Sequence, residues 1–324
     1  MRSDTLTCAP GLALPRRGRE QAAVKTKRKA LSRVCWQPYV YLLPALVLMC
    51  VWIYWPLLRT FYLSFFNWNM LPTTTPQFCG LDNFAKLLRT PGFSNAVVNT
   101  LLMMVGLLPF SIVLPVMVSI FAKSITKRAS AFYRGMIFVP MILAPVAAAA
   151  VFRWILHPAG GPLNQLLEKL GVQESISFLN DPKYALGCII FITGWKMTGF
   201  FTLLFYSAVQ NIDDGYYQAA AMDGAGFWQQ TFRITLPLLS PTLVFNTMLS
   251  ILFASSWSFT YVDTLTQGGP LNATINAYYF MWDKGFRTSS SGLTSSSAVV
   301  FFLGFGLIAL VLSHVGQKLS YYDN

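Results

Sequence analysis

The sequence predicts an all-α membrane protein with six transmembrane helices, and three observations carry that expectation. Lys and Arg number 24 and Asp and Glu 12 in 324 residues, so charged residues make up 11% of the chain, against about 25% in ordinary soluble domains. Hydrophobic residues make up 54%, and mean hydropathy is +0.50. Stretches free of Asp, Glu, Lys and Arg run over 34–58, 90–122, 135–152, 234–262 and 288–317, and a sixth, 184–212, is interrupted only by Lys196. A bilayer crossing needs about 20 such residues. The stretches are continuous rather than alternating, which excludes β-barrel strands. The same composition excludes a soluble enzyme, a disordered regulator and a disulfide-rich secreted module.

Taken in order, the expected spans are 38–66, 97–122, 132–156, 184–208, 237–262 and 296–316. The first is too long for a cleaved signal and no small-residue cleavage site follows it, so it stays as an anchor. Pro44 and Pro56 predict kinks in it, and Trp52, Trp55 and Trp68 suit the outer interface. Three outer loops are expected over 67–95, 157–183 and 263–295. Within the second, leucines 163, 166, 167 and 170 recur at helical spacing between Pro162 and Gly171. This predicts a short amphipathic helix that lies on the bilayer, meets a partner or packs on its own bundle.

Orientation follows from basic residues in the loops. Nine Lys/Arg precede the first span (Arg2, Arg16, Arg17, Arg19, Lys25, Lys27, Arg28, Lys29 and Arg33). Lys123, Lys127, Arg128, Arg134, Arg233 and Lys318 fall on the same side, while Lys86, Arg89, Lys169, Lys183, Lys284 and Arg287 fall on the other. Both termini are therefore expected in the cytoplasm. Residues 1–36 read as a basic, disordered cytoplasmic tail, and residues 37–324 as the membrane domain. Most of the net charge of +12 sits in that tail. It reads as a cytoplasmic flank to an anchor rather than a nucleic-acid arm, and no nucleic-acid partner is expected. Five scattered cysteines (Cys8, Cys35, Cys50, Cys79, Cys188) include no C-x-x-C, and the two histidines, His157 and His314, are far apart. Neither a metal site nor a disulfide frame is expected.

The most informative segment is 211–241, with Asp213 and Asp214, then Gln218-Ala219-Ala220-Ala221-Met222-Asp223-Gly224-Ala225-Gly226, then Ile234-Thr235-Leu236-Pro237, and the loop proper spans 211–236. An aspartate caps a helix, three alanines leave one side of it small, and two glycines end it. The prediction is a helix–turn–helix at the cytoplasmic face, open to close approach by another protein. The segment resembles the EAA loop of ABC importer permeases, whose pattern runs E-A-A, D-G-A, I-x-L-P. The departure is Gln218, which keeps the size and an acceptor of the family's Glu but not its charge.

Further motifs extend the resemblance along the chain beyond the tail. Leu43-Pro44-Ala45, Tyr54-Trp55-Pro56-Leu57 and Leu63-Ser64-Phe65 are similar to the first span of carbohydrate-type permeases. Gly80-Leu81-Asp82-Asn83-Phe84, Asn99-Thr100 and Leu265-Thr266-Gln267-Gly268-Gly269-Pro270 match later family motifs in the right order. On these residues the chain is identified as a member of the maltose and glycerol-3-phosphate branch of ABC importer permeases. The resemblance implies the type I importer transmembrane fold in a bacterial inner membrane. It implies a second, homologous permease subunit, two ATPase subunits, an extracytoplasmic substrate-binding protein and surrounding membrane lipid as partners. ATP and magnesium would be used by the ATPases. This chain has no G-x-x-x-x-G-K-[ST] phosphate cradle and is expected to bind no cofactor and perform no catalysis itself. Docking to the ATPase would fall to Gln218, Ala219, Ala220, Met222, Asp223, Gly224 and Ala225.

Carried over by distance from that loop, the family's substrate contacts fall on Thr193, Lys196, Met197 and Phe200. On the following span they fall among Asn246, Ser250, Ser255, Ser256, Trp257 and Ser258. Hydroxyls, amides and an aromatic face suit a sugar; the same Ser and Asn residues also serve as glue between helices. Lys196 is either a pathway residue or a structural lysine paired to a carbonyl. A sugar or oligosaccharide is the first expectation for the substrate, and glycerol-3-phosphate the alternative. A stand-alone secondary transporter would need an internal repeat and intramembrane carboxylates. A membrane-embedded enzyme would need clustered His, Asp or Glu. The sequence shows none of these.

Overall fold

The structure is a computed structural model that describes residues 37–319 except 72 and 173. The basic tail 1–36, with Cys8 and Cys35, lies outside the described residues. The chain divides into two units at Leu58 and Arg59. In the first, the described residues are the body of α1 (Tyr39–Leu63), a 25-residue apolar helix. At 1.5 Å per residue it is about 37 Å long, enough to cross a hydrocarbon core of about 30 Å. Its side chains up to Leu58 are exposed, apart from half-buried Leu57. Neither proline breaks it. Pro56 lacks an N–H and its ring crowds the carbonyl four residues back. The preceding residues Cys50–Tyr54 relax into a wider π-turn in which the Trp55 N–H reaches Cys50 O.

The second unit opens with a hairpin of two short strands, β1 (Phe66–Asn67) and β2 (Gln77–Phe78), paired antiparallel. It continues with α2 (Asp82–Arg89), α3 (Phe93–Ser124), α4 (Lys127–Ile142), α5 (Pro145–Ile155) and α6 (Pro162–Lys169). Then come α7 (Pro182–Gln210), α8 (Asp214–Met222), α9 (Phe227–Gln230), α10 (Ser240–Thr266), α11 (Ala277–Trp282) and α12 (Ser291–Leu319). Five helices among the described residues (α1, α3, α7, α10 and α12) are long and apolar enough to cross a membrane singly.

The expected third span, 132–156, is corrected. It is two helices, α4 and α5, bent by 93° at Leu143 and Ala144. Pro145 is the cause. Its ring disfavours helical geometry in the preceding residue, and Leu143 (φ −62, ψ 135) and Ala144 (φ −58, ψ 131) are both extended. The bent pair makes a sixth crossing only if both halves are counted together.

Helix α7 is the hub. Of its most apolar window 56% is buried, against 33% for α3 and 11% for α12. It crosses α4 at Gly199, where a Cβ would lie 2.6 Å from Ile137 O, so only glycine allows this approach. Hydroxyls join the helices in place of water. Thr198 Oγ1 donates to Phe110 O at 3.0 Å, Ser119 Oγ to Thr202 O at 3.1 Å, and Ser111 Oγ pairs with Ser250 Oγ at 2.6 Å.

The loop motifs have structural work that the sequence did not reveal. Asn83 Nδ2 donates to Ser64 O and Phe66 O and closes the hairpin onto α2. Asn99 Nδ2 donates to Asn272 O and Ile275 O, while Thr100 Oγ1 accepts from the Ala277 N–H. The Asn99-Thr100 pair therefore holds the long turn that follows the Gly268-Gly269-Pro270 motif. At the end of that turn, helix α11 packs into the main core, an element not expected within 263–295. Burial, reinforced by Asp283 and Asp263 and opposed by Arg287, raises the Tyr279 phenol above its ordinary pKa, so it stays neutral. The amphipathic helix expected in 157–183 is α6. Its Leu163 and Leu167 are half-buried, Leu163 against the core of its own bundle, while Leu166 and Leu170 are exposed.

Candidate functional site

The break between α4 and α5 opens a cavity of about 410 Å³. Its walls are Met141–Pro145 from the break, Thr193 and Lys196 from α7, and Ser256, Trp257, Thr260 and Tyr261 from α10. Thr193 and Lys196 are three apart, and Ser256 and Trp257 are four from Thr260 and Tyr261, so each helix turns one face to the opening. The last carbonyls of α4 have no helical partner. Lys196, only 7% exposed, donates its ammonium to one carbonyl at that end, Leu143 O. Among the described residues, no carboxylate lines the cavity. Two hydroxyls on its wall, Thr193 Oγ1 and Tyr261 Oη, are buried without a hydrogen-bond partner. Leaving such a group unpaired costs about 1–3 kcal/mol. The cavity is thus an electropositive, partly apolar recess with unmet hydrogen-bonding capacity buried in its wall.

The remaining sequence candidates sit elsewhere. Met197 is fully buried in a core cluster with Phe201 and Phe205. Phe200 packs against the Trp257 ring at 5.7 Å, behind the cavity wall. Asn246 is fully buried on α10 with both amide atoms unpartnered. Ser250 is taken up by Ser111, as above. Ser255 Oγ accepts from the Tyr278 N–H at 3.3 Å, and Ser258 Oγ accepts from Asn276 Nδ2 at 2.9 Å. The structure therefore brings Thr193, Lys196, Ser256 and Trp257 together and turns Ser250, Ser255 and Ser258 towards neighbouring segments. Thr260 and Tyr261 were missed. Tyr261 lies one helical turn beyond Trp257, and that i, i+4 relation was the available signal.

The segment 211–236 forms the expected helix–turn–helix. Asp213 caps α8 by accepting from the Gly215 N–H at 2.8 Å. At the other end Gly224 has φ +76. There the Gly224 N–H reaches Ala221 O at 3.0 Å and the Ala225 N–H reaches Ala220 O at 2.9 Å. This paired closure needs a left-handed residue, which is why glycine stands at 224. Gln218, Ala219, Ala221, Asp223 and Gly224 are exposed, Met222 is 89% exposed, and Ala220 and Ala225 are half-buried. The outer surface is low and small, with one flexible thioether projecting from it.

What holds α8 in place was not read from the sequence. Lys123, at the end of α3, donates to Val209 O and Ile212 O at the end of α7, at 3.4 and 3.3 Å. It also pairs with Asp214 Oδ1 at 3.0 Å and lies 4.4 Å from the centre of the Tyr217 ring. Tyr217 Oη in turn pairs with Thr235 Oγ1 at 3.0 Å. One lysine thus joins three helices at the root of the loop. In the sequence Lys123 reads as a loop charge, because its partners are 86 or more residues away.

An apolar helical bundle with a broken span, a mid-span polar recess and an exposed small-residue loop defines a membrane permease architecture. Residues 78–319 match the family described as binding-protein-dependent transport system inner membrane component. The chain belongs to that family and is a permease subunit of a binding-protein-dependent importer. It is 31% identical over 287 residues to the probable ABC transporter permease protein YurN of Bacillus subtilis (strain 168), covering 87% of this chain and 94% of that one. It is 28% identical over 302 residues to the sn-glycerol-3-phosphate transport system permease protein UgpA of Escherichia coli (strain UTI89 / UPEC), covering 90% and 98%. Its fold superposes with a TM-score of 0.77 on a chain of a bacterial ABC transporter involved in the import of the acidic polysaccharide alginate. That match has 21% identity and covers 94% of this chain and all of the other.

Proposed function

We propose that this chain is one of two permease subunits of an ATP-driven importer that takes a sugar or oligosaccharide from an extracytoplasmic binding protein. The cavity beside Lys196 is the part of the pathway this subunit contributes. The observation that carries this reading is the pairing of a cavity about the size of a small ligand with two buried, unpartnered hydroxyls. Sugar hydroxyls would satisfy both once the walls part around the ligand, and the half-buried Trp257 offers a face for C–H stacking. The exposed surface of α8, from Gln218 to Ala225, docks into a cleft of a separate ATPase subunit. Closure of the ATPases moves α8, and Lys123 passes that movement to the ends of α3 and α7. Alternating access follows as the helices around the cavity open to one side and then the other. The end carrying α8 faces the cytoplasm, in keeping with the distribution of basic residues.

A second reading has its own observation. Among the described residues, Lys196 is the one cation on the cavity wall and no carboxylate opposes it, which favours a substrate with an acidic group, such as a polyol phosphate. The UgpA relatives are named for sn-glycerol-3-phosphate transport.

The test is mass spectrometry of what co-purifies with the tagged chain from its native membrane in mild detergent. A second permease and an ATPase with a phosphate-binding loop are expected. A chain that runs alone, and transports alone in liposomes, would overturn the reading.

A further inference from the structure

The arm that follows the coupling turn is built inside out. Over residues 227–235 the polar side chains Thr231 and Thr235 are buried, and Thr235 is hydrogen-bonded to Tyr217. The aromatic side chains face the other way. Trp228 is 59% exposed and Phe232 62%, and the two rings, four residues apart, stack at 6.1 Å. A helix in water places its residues the opposite way round.

This aromatic face continues an exposed apolar face of α3, a helix long and apolar enough to cross a membrane. Phe227 stacks on Phe121 at 5.7 Å, and Phe121 is the last aromatic residue of membrane-spanning α3. Leu114, Met117 and Phe121 are all exposed and repeat at helical spacing along α3. The apolar surface therefore runs from the span onto the arm. Asp214 is taken up by Lys123 and Asp223 stands in the turn before the arm, while the charges that flank the aromatic face itself are basic. Lys127 and Arg128 follow Phe121, Arg233 follows Phe232, and no carboxylate occurs in 83–167 or within the arm 227–235. Aromatic rings beside basic residues are the composition of a membrane–water interface with anionic headgroups.

We propose that residues 227–235 lie in the headgroup layer of the leaflet at the α8 end, with Phe227, Trp228 and Phe232 among the upper acyl chains and Arg233 at anionic headgroups. The arm is tied to the coupling turn, because Gln230 Nε2 donates to Ala225 O at 3.0 Å. The coupling helix then swings from a hinge fixed to the bilayer surface, and lipid charge becomes a variable that coupling senses. The placement does not depend on which substrate is carried.

The test is tryptophan quenching in the assembled importer, held in nanodiscs containing anionic lipid. Emission is compared between the natural chain and Trp228→Phe, which keeps a ring at the position. The difference between the two is the emission of Trp228. The expected result is that phospholipids brominated near the headgroup quench this component more than those brominated near the chain end. A component that neither lipid quenches would overturn the proposal and show that protein covers the face. Stronger quenching by the deeper bromines would also overturn it.

Discussion

Two lysines organise the two working regions of this molecule, and they are finished differently. Lys196 and Lys123 each reach carbonyls at a helix end, Leu143 O in one case and Val209 O and Ile212 O in the other. Each relieves the negative end of a helix dipole. Lys123 then completes its set with the Asp214 carboxylate and the Tyr217 ring. Among the described residues, Lys196 has no carboxylate beside it, and the wall of its cavity keeps the Thr193 and Tyr261 hydroxyls unpaired. A region whose groups are all paired holds its shape and transmits force. A region with groups left unpaired is poised for a ligand that supplies the missing bonds.

That contrast breaks first at Lys123. Lys123→Met removes the ion pair and leaves two helix-end carbonyls with poorer partners, a loss of about 1–3 kcal/mol at the joint. If that energy is needed to hold α8, uptake should fall about 10- to 100-fold, since each 1.4 kcal/mol is tenfold. Lys123→Arg should recover most of it. Paired assays of uptake and ATP hydrolysis in vesicles check this, and a variant with unchanged uptake removes Lys123 from the coupling path.

Lys196→Met tests the other lysine. It should weaken binding of a substrate with an acidic group by about 10-fold or more, in the range of a charge-assisted hydrogen bond. A neutral sugar should lose less. Competition of labelled uptake by neutral and acidic sugars separates the two cases.

Tyr261→Phe sharpens the difference through its sign. It deletes a buried hydroxyl that has no protein partner, so thermal stability without substrate should hold or rise, while substrate affinity should fall by about 3- to 10-fold for one lost hydrogen bond. Melting curves with and without substrate check both halves. A fall in stability without substrate would mean the hydroxyl already has a partner. The smallest effect is expected at Gly224→Ala, where no atom lies within 4 Å of the new Cβ and only the positive φ resists. It should cost about 1 kcal/mol in the turn and lower coupling by less than tenfold.

Much of this was legible in the sequence, and the remainder is physically explicable. Apolar runs located the five single crossings and the bent pair because lipid tolerates few charges. They missed the break at Leu143 and Ala144, because hydropathy does not change at a bend and Pro145 acts through backbone geometry. The helix–turn–helix at 211–236 was legible because Asp213 and Gly224 act on their immediate neighbours. Thr193, Lys196 and Trp257 were placed by their distance from that turn. Ser250, Ser255 and Ser258 were named for the same reason, yet which face of α10 meets α3 and which meets the cavity depends on helix rotation, and serine occupies both. Lys123, the hairpin at 66–78 and the hold of Asn99 on the turn before Ala277 depend on contacts between distant parts of the chain or on turns with no apolar signature.

The most direct test of the account is the ratio of substrate taken up to ATP hydrolysed in vesicles carrying the importer with Gly224→Pro. Proline cannot adopt φ +76 and has no N–H to give to Ala221 O. The account requires that the subunit still inserts and that hydrolysis continues while uptake is lost. Uptake at the natural ratio would contradict a coupling role for residues 211–236.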